Sequence, residues 1–395
     1  MEDIITIEEL KKEYQDEFKS EPIRFFSAPG RTELSGNHTD HQHGRVLAAS
    51  INLDNRAAVA LNNSNKIIIK SYGYDRFEVD INDLSVKDNE AGTSTSLVRG
   101  IVNRFKELGH DVKGFNAYVK SNVKSGSGLS SSAAFEVLIA TIINELNNAG
   151  LNAVELAKMS QYAENVYFKK PCGLMDQMAS SVGNAITIDF KDNDNPIIEK
   201  IDFDFSKCGY TLCVIDSGAD HADLTNEYAA ITDELKKVCT VFNKKWLVEI
   251  NENEFLSRIK EVREKCGDRA VLRALHVYNE NKRVVAQVNA LKNNDFNTYL
   301  KLMKESGKSS WQYLQNVIPC GNSLKQELAL AIGVSERFLE GKGVCRVHGG
   351  GFAGTLQAFV LNEYVNDFKE KIENVLGKGS CHILEIVPFG GQELK

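Results

Sequence analysis

Apolar residues recur at helical spacing in some stretches of the chain and alternate with polar ones in others, which predicts a mixture of helices and strands. Residues 7–19 mix charged and apolar groups with helical periodicity. Short β-branched or alternating runs at 57–61, 66–70 and 115–119 predict strands. A long apolar-periodic run predicts a helix over about 130–147, with Ala134, Leu138 and Ile142 on one face. The next helix begins after Asn152, which can cap it while Glu155 reaches back, and continues to about Phe168, ahead of Pro171.

Strand patterns at 185–190 and 210–215 bracket a polar, turn-rich stretch at 191–195, where a change of domain is expected. Beyond it the pattern is mainly helical, at about 223–246, 253–265, 268–292, 296–305 and 322–340. Strands at 344–347, 355–361 and 381–387 and a helix at 363–376 close the chain. Strands mixed with helices in both halves predict an α+β fold rather than a regular βαβ succession. At 395 residues the chain exceeds the size one hydrophobic core usually serves, so two domains are expected, 1–200 and 201–395.

Composition narrows the partners. The net charge is −7, and no basic stripe with interleaved aromatics is present, which argues against nucleic acid or an anionic membrane and for small-molecule ligands; a monomer is the expectation. Eight cysteines lie far apart without CxxC pairs and read as reduced, mostly packed thiols. The acidic N-terminus lacks the basic and apolar regions of a secretory signal, and no run approaches the ~20 apolar residues of a membrane span. A cytoplasmic location is the expectation.

Candidate chemistry concentrates in four segments. Ser125-Gly126-Ser127-Gly128-Leu129-Ser130-Ser131-Ser132-Ala133-Ala134 sets a glycine- and hydroxyl-rich loop before the helix at 130–147. Free N–H groups and the positive dipole end of a helix attract an anion there, although an ordinary serine-capped helix has the same letters. Ala28-Pro29-Gly30-Arg31 through Asn37-His38-Thr39-Asp40-His41 crowds polar groups into a turn-rich segment. It suits a polyol, a metal held by His38, Asp40, His41 and His43, or plain solvation. Cys172-Gly173-Leu174-Met175-Asp176-Gln177 places one carboxylate among apolar neighbours, where its pKa rises unless a cation such as Arg31 approaches. That balance suits a general base; a helix-capping aspartate is the alternative. Glu164 is a second carboxylate, able to meet a metal held at the serine loop or simply to face solvent. Gly349-Gly350-Gly351-Phe352-Ala353-Gly354 allows a tight backbone passage between two strands.

In this order and spacing the four segments resemble the GHMP kinase superfamily, and within it the galactokinase branch, from about residue 22 to residue 390. The resemblance implies a two-domain GHMP kinase fold, with a ribosomal protein S5 domain 2-like N-terminal domain and a ferredoxin-like C-terminal domain. It implies an ATP- and Mg2+-dependent sugar 1-kinase acting on galactose. In that scheme Asp176 takes the proton of the anomeric hydroxyl, and Arg31 stabilises the aspartate and the developing charge. Ser132 and Glu164 match the metal ligands. Gly126, Ser127, Gly128, Leu129, Ser130, Ser131 and Ser132 hold the nucleotide phosphates. Asn37, His38, Asp40, Gly173 and Tyr228 contact the sugar. The carboxylate and the serine loop are then expected to face each other across an interdomain gap.

Departures from the galactokinase pattern bear on substrate choice. Asn37 stands where galactokinases usually carry glutamate, and His41-Gln42 is similar to galacturonate kinases, which makes galacturonate a rival substrate. Lys124 replaces a proline of the phosphate loop, and Ser94 an aromatic near the base. A sugar-sensing relative without turnover and a metal-dependent hydrolase built on the histidine segment are further readings.

Overall fold

A computed structural model describes residues 5–123, 128–219 and 224–394. The chain opens with α1 (Ile7–Phe18), capped by the Thr6 side chain, which accepts from the Glu9 amide. There follow β1 (Arg24–Ser35), β2 (Arg45–Leu61), β3 (Lys66–Ser71), β4 (Phe77–Asp80), α2 (Ser94–Glu107), β5 (Phe115–Ser121), α3 (Ser131–Asn147), α4 (Ala153–Tyr162) and α5 (Met175–Val182). The Asn152–Glu155 capping box expected at the start of α4 is formed in full. A π-helical turn, Ala163–Tyr167, extends α4 toward the Phe168 limit read from the sequence.

Continuing, β6 (Ala185–Asp189), β7 (Ile197–Ile201) and β8 (Tyr210–Asp216) lead into α6 (Thr225–Val241), α7 (Glu252–Ser257), α8 (Ile259–Cys266), α9 (Asp268–Lys292), α10 (Phe296–Ser309) and α11 (Glu327–Phe338). The final elements are β9 (Gly343–Val347), β10 (Thr355–Leu361), α12 (Val365–Leu376), β11 (Cys381–Leu384) and β12 (Gln392–Leu394).

Two compact units emerge, one of residues 1–32, 49–184 and 387–395, the other of 33–48 and 185–386. They are threaded through one another in sequence, whereas the sequence reading divides the chain once near residue 200. The chain passes between units inside β1 and inside β2, because both strands are long enough to contribute residues to each.

In the first unit the strands run in the order β12-β1-β2-β5-β3-β4, with β3 parallel to β5 and the pairs β1–β12, β2–β5 and β3–β4 antiparallel. Ala57, Val59, Ala117 and Val119 alternate onto the face that packs on α2 and α3, where Val98, Ile101, Val102, Leu138 and Ile142 complete the core. The second unit holds a four-stranded sheet in the order β11-β8-β10-β9, every neighbouring pair antiparallel. Central β10 is buried from Thr355 to Val360, as its near-continuous apolar run requires. Helices α11 and α12 cover that sheet through Leu328, Ile332, Phe368 and Ile372. A second core gathers α6 to α9 around Leu235, Phe255, Val271 and Ala274. The eight cysteines are free. Among the described residues no helix is long and apolar enough to cross a membrane.

Candidate active site

In the first unit three separate segments meet at one carboxylate. Asp176 sits in the first turn of α5, where the helix dipole favours an anion. Arg31, on β1, clasps it with two hydrogen bonds, Nε to Oδ1 at 2.7 Å and Nη2 to Oδ2 at 2.8 Å. The third guanidinium arm, Nη1, donates to the Gly128 carbonyl at 2.5 Å, tying the serine-rich loop to the same cation. Ser130 Oγ donates to Asp176 Oδ2.

Burial pushes the Asp176 carboxyl up, but the Arg31 charge and hydrogen bonds, Ser130 and the charge of Lys170 together hold it below the usual aspartate range. Asp176 is therefore an anion at neutral pH, and about one third of its side chain remains exposed, against 9% for Arg31. A carboxylate held anionic and reachable can accept a proton from a bound hydroxyl. The capping role open to Asp176 in the sequence is not what its oxygens do. The loop and the carboxylate do not face each other across a gap: they are joined by a direct hydrogen bond within one unit.

The serine loop leads into α3 in an arrangement that leaves donors for an anion. Ser130, the residue before the helix, has a left-handed backbone (φ 57°, ψ 59°) and makes no side-chain cap. Its hydroxyl is committed to Asp176, so the first-turn amides of α3 lack the partner a capping serine supplies. Gly128 is exposed, Leu129 is buried, and Ser131 and Ser132 are half-buried at that terminus. Gly126, Ser127 and Lys124 lie outside the described residues. Ser94, the first residue of α2, is exposed.

Ser132 Oγ lies 3.5 Å from Glu164 Oε1, on the π-helical turn after α4. Lys170 Nζ approaches the same Oε1 at 3.1 Å, and Gln177 Nε2 donates to Oε2 at 2.7 Å. Gln177 also donates at 3.0 Å to Oε2 of Glu136, a residue wholly buried within α3. Burial and the neighbouring Glu164 charge push the Glu136 carboxyl well above the usual glutamate range, which favours its protonated form. Glu136 Oε1 and Gln177 Oε1 are both buried acceptors without a partner, and a proton on Glu136 converts one of them into a donor. A hydroxyl and a carboxylate, both hard oxygens, are what a magnesium ion takes from a protein when phosphates and water supply the rest. The residues present fit that group. Among the described residues no three His, Cys, Asp or Glu side chains are arranged to hold a metal by themselves.

In the second unit, the glycine-rich turn joining β9 to β10 collects three of the residues read from the sequence as sugar contacts. Asn37 Nδ2 donates to the Gly349 carbonyl at 2.5 Å, His38 Nε2 meets the Gly350 carbonyl at 2.9 Å, and Tyr228 OH donates to the Gly351 carbonyl at 2.8 Å. Gly351 has φ +77°, and a Cβ there would lie 2.1 Å from the Asn316 carbonyl, so only glycine fits. Asn37 is fully buried, and its amide also donates to Glu33 Oε1 and accepts from Ser310 and Asn316. Every polar group of that side chain is engaged within the protein. Burial, more than the neighbouring His41, lowers the His38 pKa to about 4, leaving the ring neutral. Asp40 opens a short 3-10 turn 3.6 Å from His41 Nε2. His43 instead stacks on Trp246 at 4.1 Å, away from any shared ligand set with His38. Gly173 lies in the first unit, half-buried, three residues before Asp176.

Residues 12–61 match the family model described as the galactokinase galactose-binding signature, and residues 96–184 match that of the GHMP kinases N-terminal domain. The galactokinase of Clostridium acetobutylicum is 32% identical over 390 residues, covering 94% of this chain and 93% of the relative. The chain belongs to the galactokinase family. The galactokinase of Clostridium tetani is 30% identical, covering 95% of this chain and 93% of its own. Among solved structures, Lactococcus lactis galactokinase in complex with galactose superposes with a TM-score of 0.84 at 23% identity, over 98% of this chain and all of that one. A mevalonate kinase superposes with a TM-score of 0.65 at 16% identity, over 92% and 99%. The mixed α+β fold is that of galactokinases and GHMP kinases, and the protein is a phosphotransferase.

The sequence reading gave no role to Gln177, Glu136, Lys170 or Glu33. A lone glutamate inside the apolar run of α3 was a visible signal for Glu136. Glu33, buried against Arg346 Nη2 at 2.9 Å, lies four residues before Asn37 and accepts a hydrogen bond from it, so a carboxylate paired with an arginine stands behind position 37. Nothing in the letters around Lys170 marks it.

Proposed function

We propose that this galactokinase-family protein transfers the γ-phosphoryl group of ATP to the anomeric hydroxyl of galactose, giving galactose 1-phosphate, with Mg2+ as the cation. The observation that carries the reading is the joining of Arg31, Asp176 and Ser130 at the uncapped start of α3. Asp176, kept anionic by Arg31, accepts the proton of the hydroxyl that becomes the nucleophile. Arg31 stays in place as that negative charge is neutralised, so no group must reorganise during the step. The amides of Ser131, Ser132 and the loop before them bind the β- and γ-phosphates and orient the transferring group. Ser132 and Glu164 hold the magnesium ion, which when bound neutralises phosphate charge. Asn37, His38, Asp40, Gly173 and Tyr228 shape the sugar site, Asn37 from behind by fixing the Gly349 carbonyl.

In this reading residues 1–200 carry the sugar signature, the loop and the base, and residues 201–395 carry the glycine-rich turn. The reading takes the protein as a cytoplasmic monomer. The curated relatives that match the chain over most of its length are galactokinases, which favours galactose over galacturonate.

A coupled ADP-release assay across galactose, galacturonate, arabinose and N-acetylgalactosamine tests the proposal. The highest kcat/KM is expected for galactose. A preference for galacturonate would replace the substrate, and no turnover on any sugar would make the protein a sensor.

A further inference from the structure

Lys170 pairs with the carboxylate that the proposed function assigns to the divalent cation. Its Nζ is 3.1 Å from Glu164 Oε1, the same oxygen that Ser132 Oγ approaches at 3.5 Å. The other oxygen of Glu164 already accepts from Gln177 at 2.7 Å, and Gln177 is itself anchored on Glu136. Oε1, the oxygen on the side of Ser132, is the one the proposed ligand pair would offer to a metal.

The placement of the ammonium is set by the backbone. Lys169 adopts a left-handed conformation (φ 63°) that turns the chain back after the π-helical segment. The Lys170 amide then donates to the Glu164 carbonyl at 3.1 Å, holding the two residues side by side. Glu164 is 3% exposed while Lys170 is 61% exposed, so the carboxylate is fixed and the lysine is the partner able to leave. An ammonium and a divalent ion on one carboxylate oxygen repel each other, and magnesium admits its ligands only at about 2.1 Å in near-octahedral order.

We propose that Lys170 competes with the divalent cation for Glu164 Oε1 and thereby sets how much cation the enzyme requires. The proposal rests on the assignment of Ser132 and Glu164 as metal ligands. Lys170 is a positioning residue: it keeps the buried Glu164 charge paired until the metal replaces it, and its long exposed side chain then moves to solvent.

Mn2+ titration of the protein at saturating ADP, followed by electron paramagnetic resonance of the free ion, reads the competition without turnover. Lys170→Met is expected to bind Mn2+ about two- to fivefold more tightly than wild type, the range a half-exposed ion pair supports. Lys170→Arg, which retains the charge, is expected to bind like wild type, and Glu164→Gln much more weakly. Unchanged or weaker binding by Lys170→Met, with Glu164→Gln impaired, overturns the competition and leaves the metal ligands in place. Wild-type binding by Glu164→Gln overturns both. Circular dichroism melts of each variant identify any loss of folding, and for the exposed Lys170 no loss is expected.

Discussion

Replacing Asp176 by asparagine preserves size and removes the charge on which the proposed chemistry depends. The aspartate accepts three hydrogen bonds, two from Arg31 and one from Ser130. Asparagine offers a single acceptor oxygen and turns its amide protons toward donors, so at least one partner loses its bond. Two effects follow, and they can be measured apart. Loss of a general base lowers kcat by about 10²- to 10⁴-fold. Leaving a guanidinium with 9% exposure without its anion destabilises the fold; a fully buried pair would cost about 3–5 kcal/mol, and with Asp176 one third exposed about 1–3 kcal/mol is expected. Coupled ADP release at saturating sugar and ATP gives kcat, isothermal titration calorimetry gives sugar affinity, and urea denaturation gives stability. Sugar affinity is expected to stay within about threefold, because the lost group acts as the proton moves. A variant whose kcat remains within tenfold of wild type would refute the role of Asp176 as the proton acceptor.

The remaining predictions follow from neighbouring groups. Arg31→Gln removes the main influence that lowers the Asp176 pKa and leaves burial, which raises it, so the acid limb of kcat/KM should move to higher pH than in wild type; a limb that stays in place or moves down contradicts the pairing. Glu136 is pushed up in the folded state, so the folded protein retains a proton the unfolded chain releases, and stability declines as pH rises above the ordinary glutamate value. Glu136→Gln, which cannot ionise, should therefore gain melting temperature relative to wild type between pH 5 and pH 8; a relative loss over that interval counts against a protonated Glu136. Gly351→Ala should destabilise by about 2–4 kcal/mol in urea denaturation, from left-handed strain plus overlap with the Asn316 carbonyl, while Gly349→Ala, with open space around it, should cost about 1 kcal/mol. Equal effects of the two would show that the packing around Gly351 is not what requires glycine.

Some of this architecture was legible in the letters because local and tertiary preferences agree. Helix α9 and strand β10 start and end where their patterns do, and the Asn152–Glu155 cap of α4 formed as written. Strand β1 was hidden by Pro29 and Gly30, which mark turns in isolation. In the fold Gly30 permits a close approach, since a Cβ there would lie 2.9 Å from the Leu129 carbonyl, and the Arg31 amide donates to that carbonyl. Helix α5 is eight residues long with only a short apolar face, too brief for periodicity to announce, so the letters alone do not distinguish a general base from a helix cap at Asp176. The four chemical segments stood out by composition, and the pairing of Arg31 with Asp176 was open to conjecture. The network of Asn37 was not, because its partners at Gly349, Ser310 and Asn316 lie some three hundred residues away in the sequence and are brought together by the sheet of the second unit.

The central claim is that an anomeric hydroxyl, deprotonated by Asp176, receives the phosphoryl group. Phosphorus NMR of the product formed from galactose and ATP tests it most directly. One new phosphate ester coupled to the sugar H1 proton is expected, formed in step with ADP. An ester on any other carbon, or ADP released without a sugar phosphate, would contradict it.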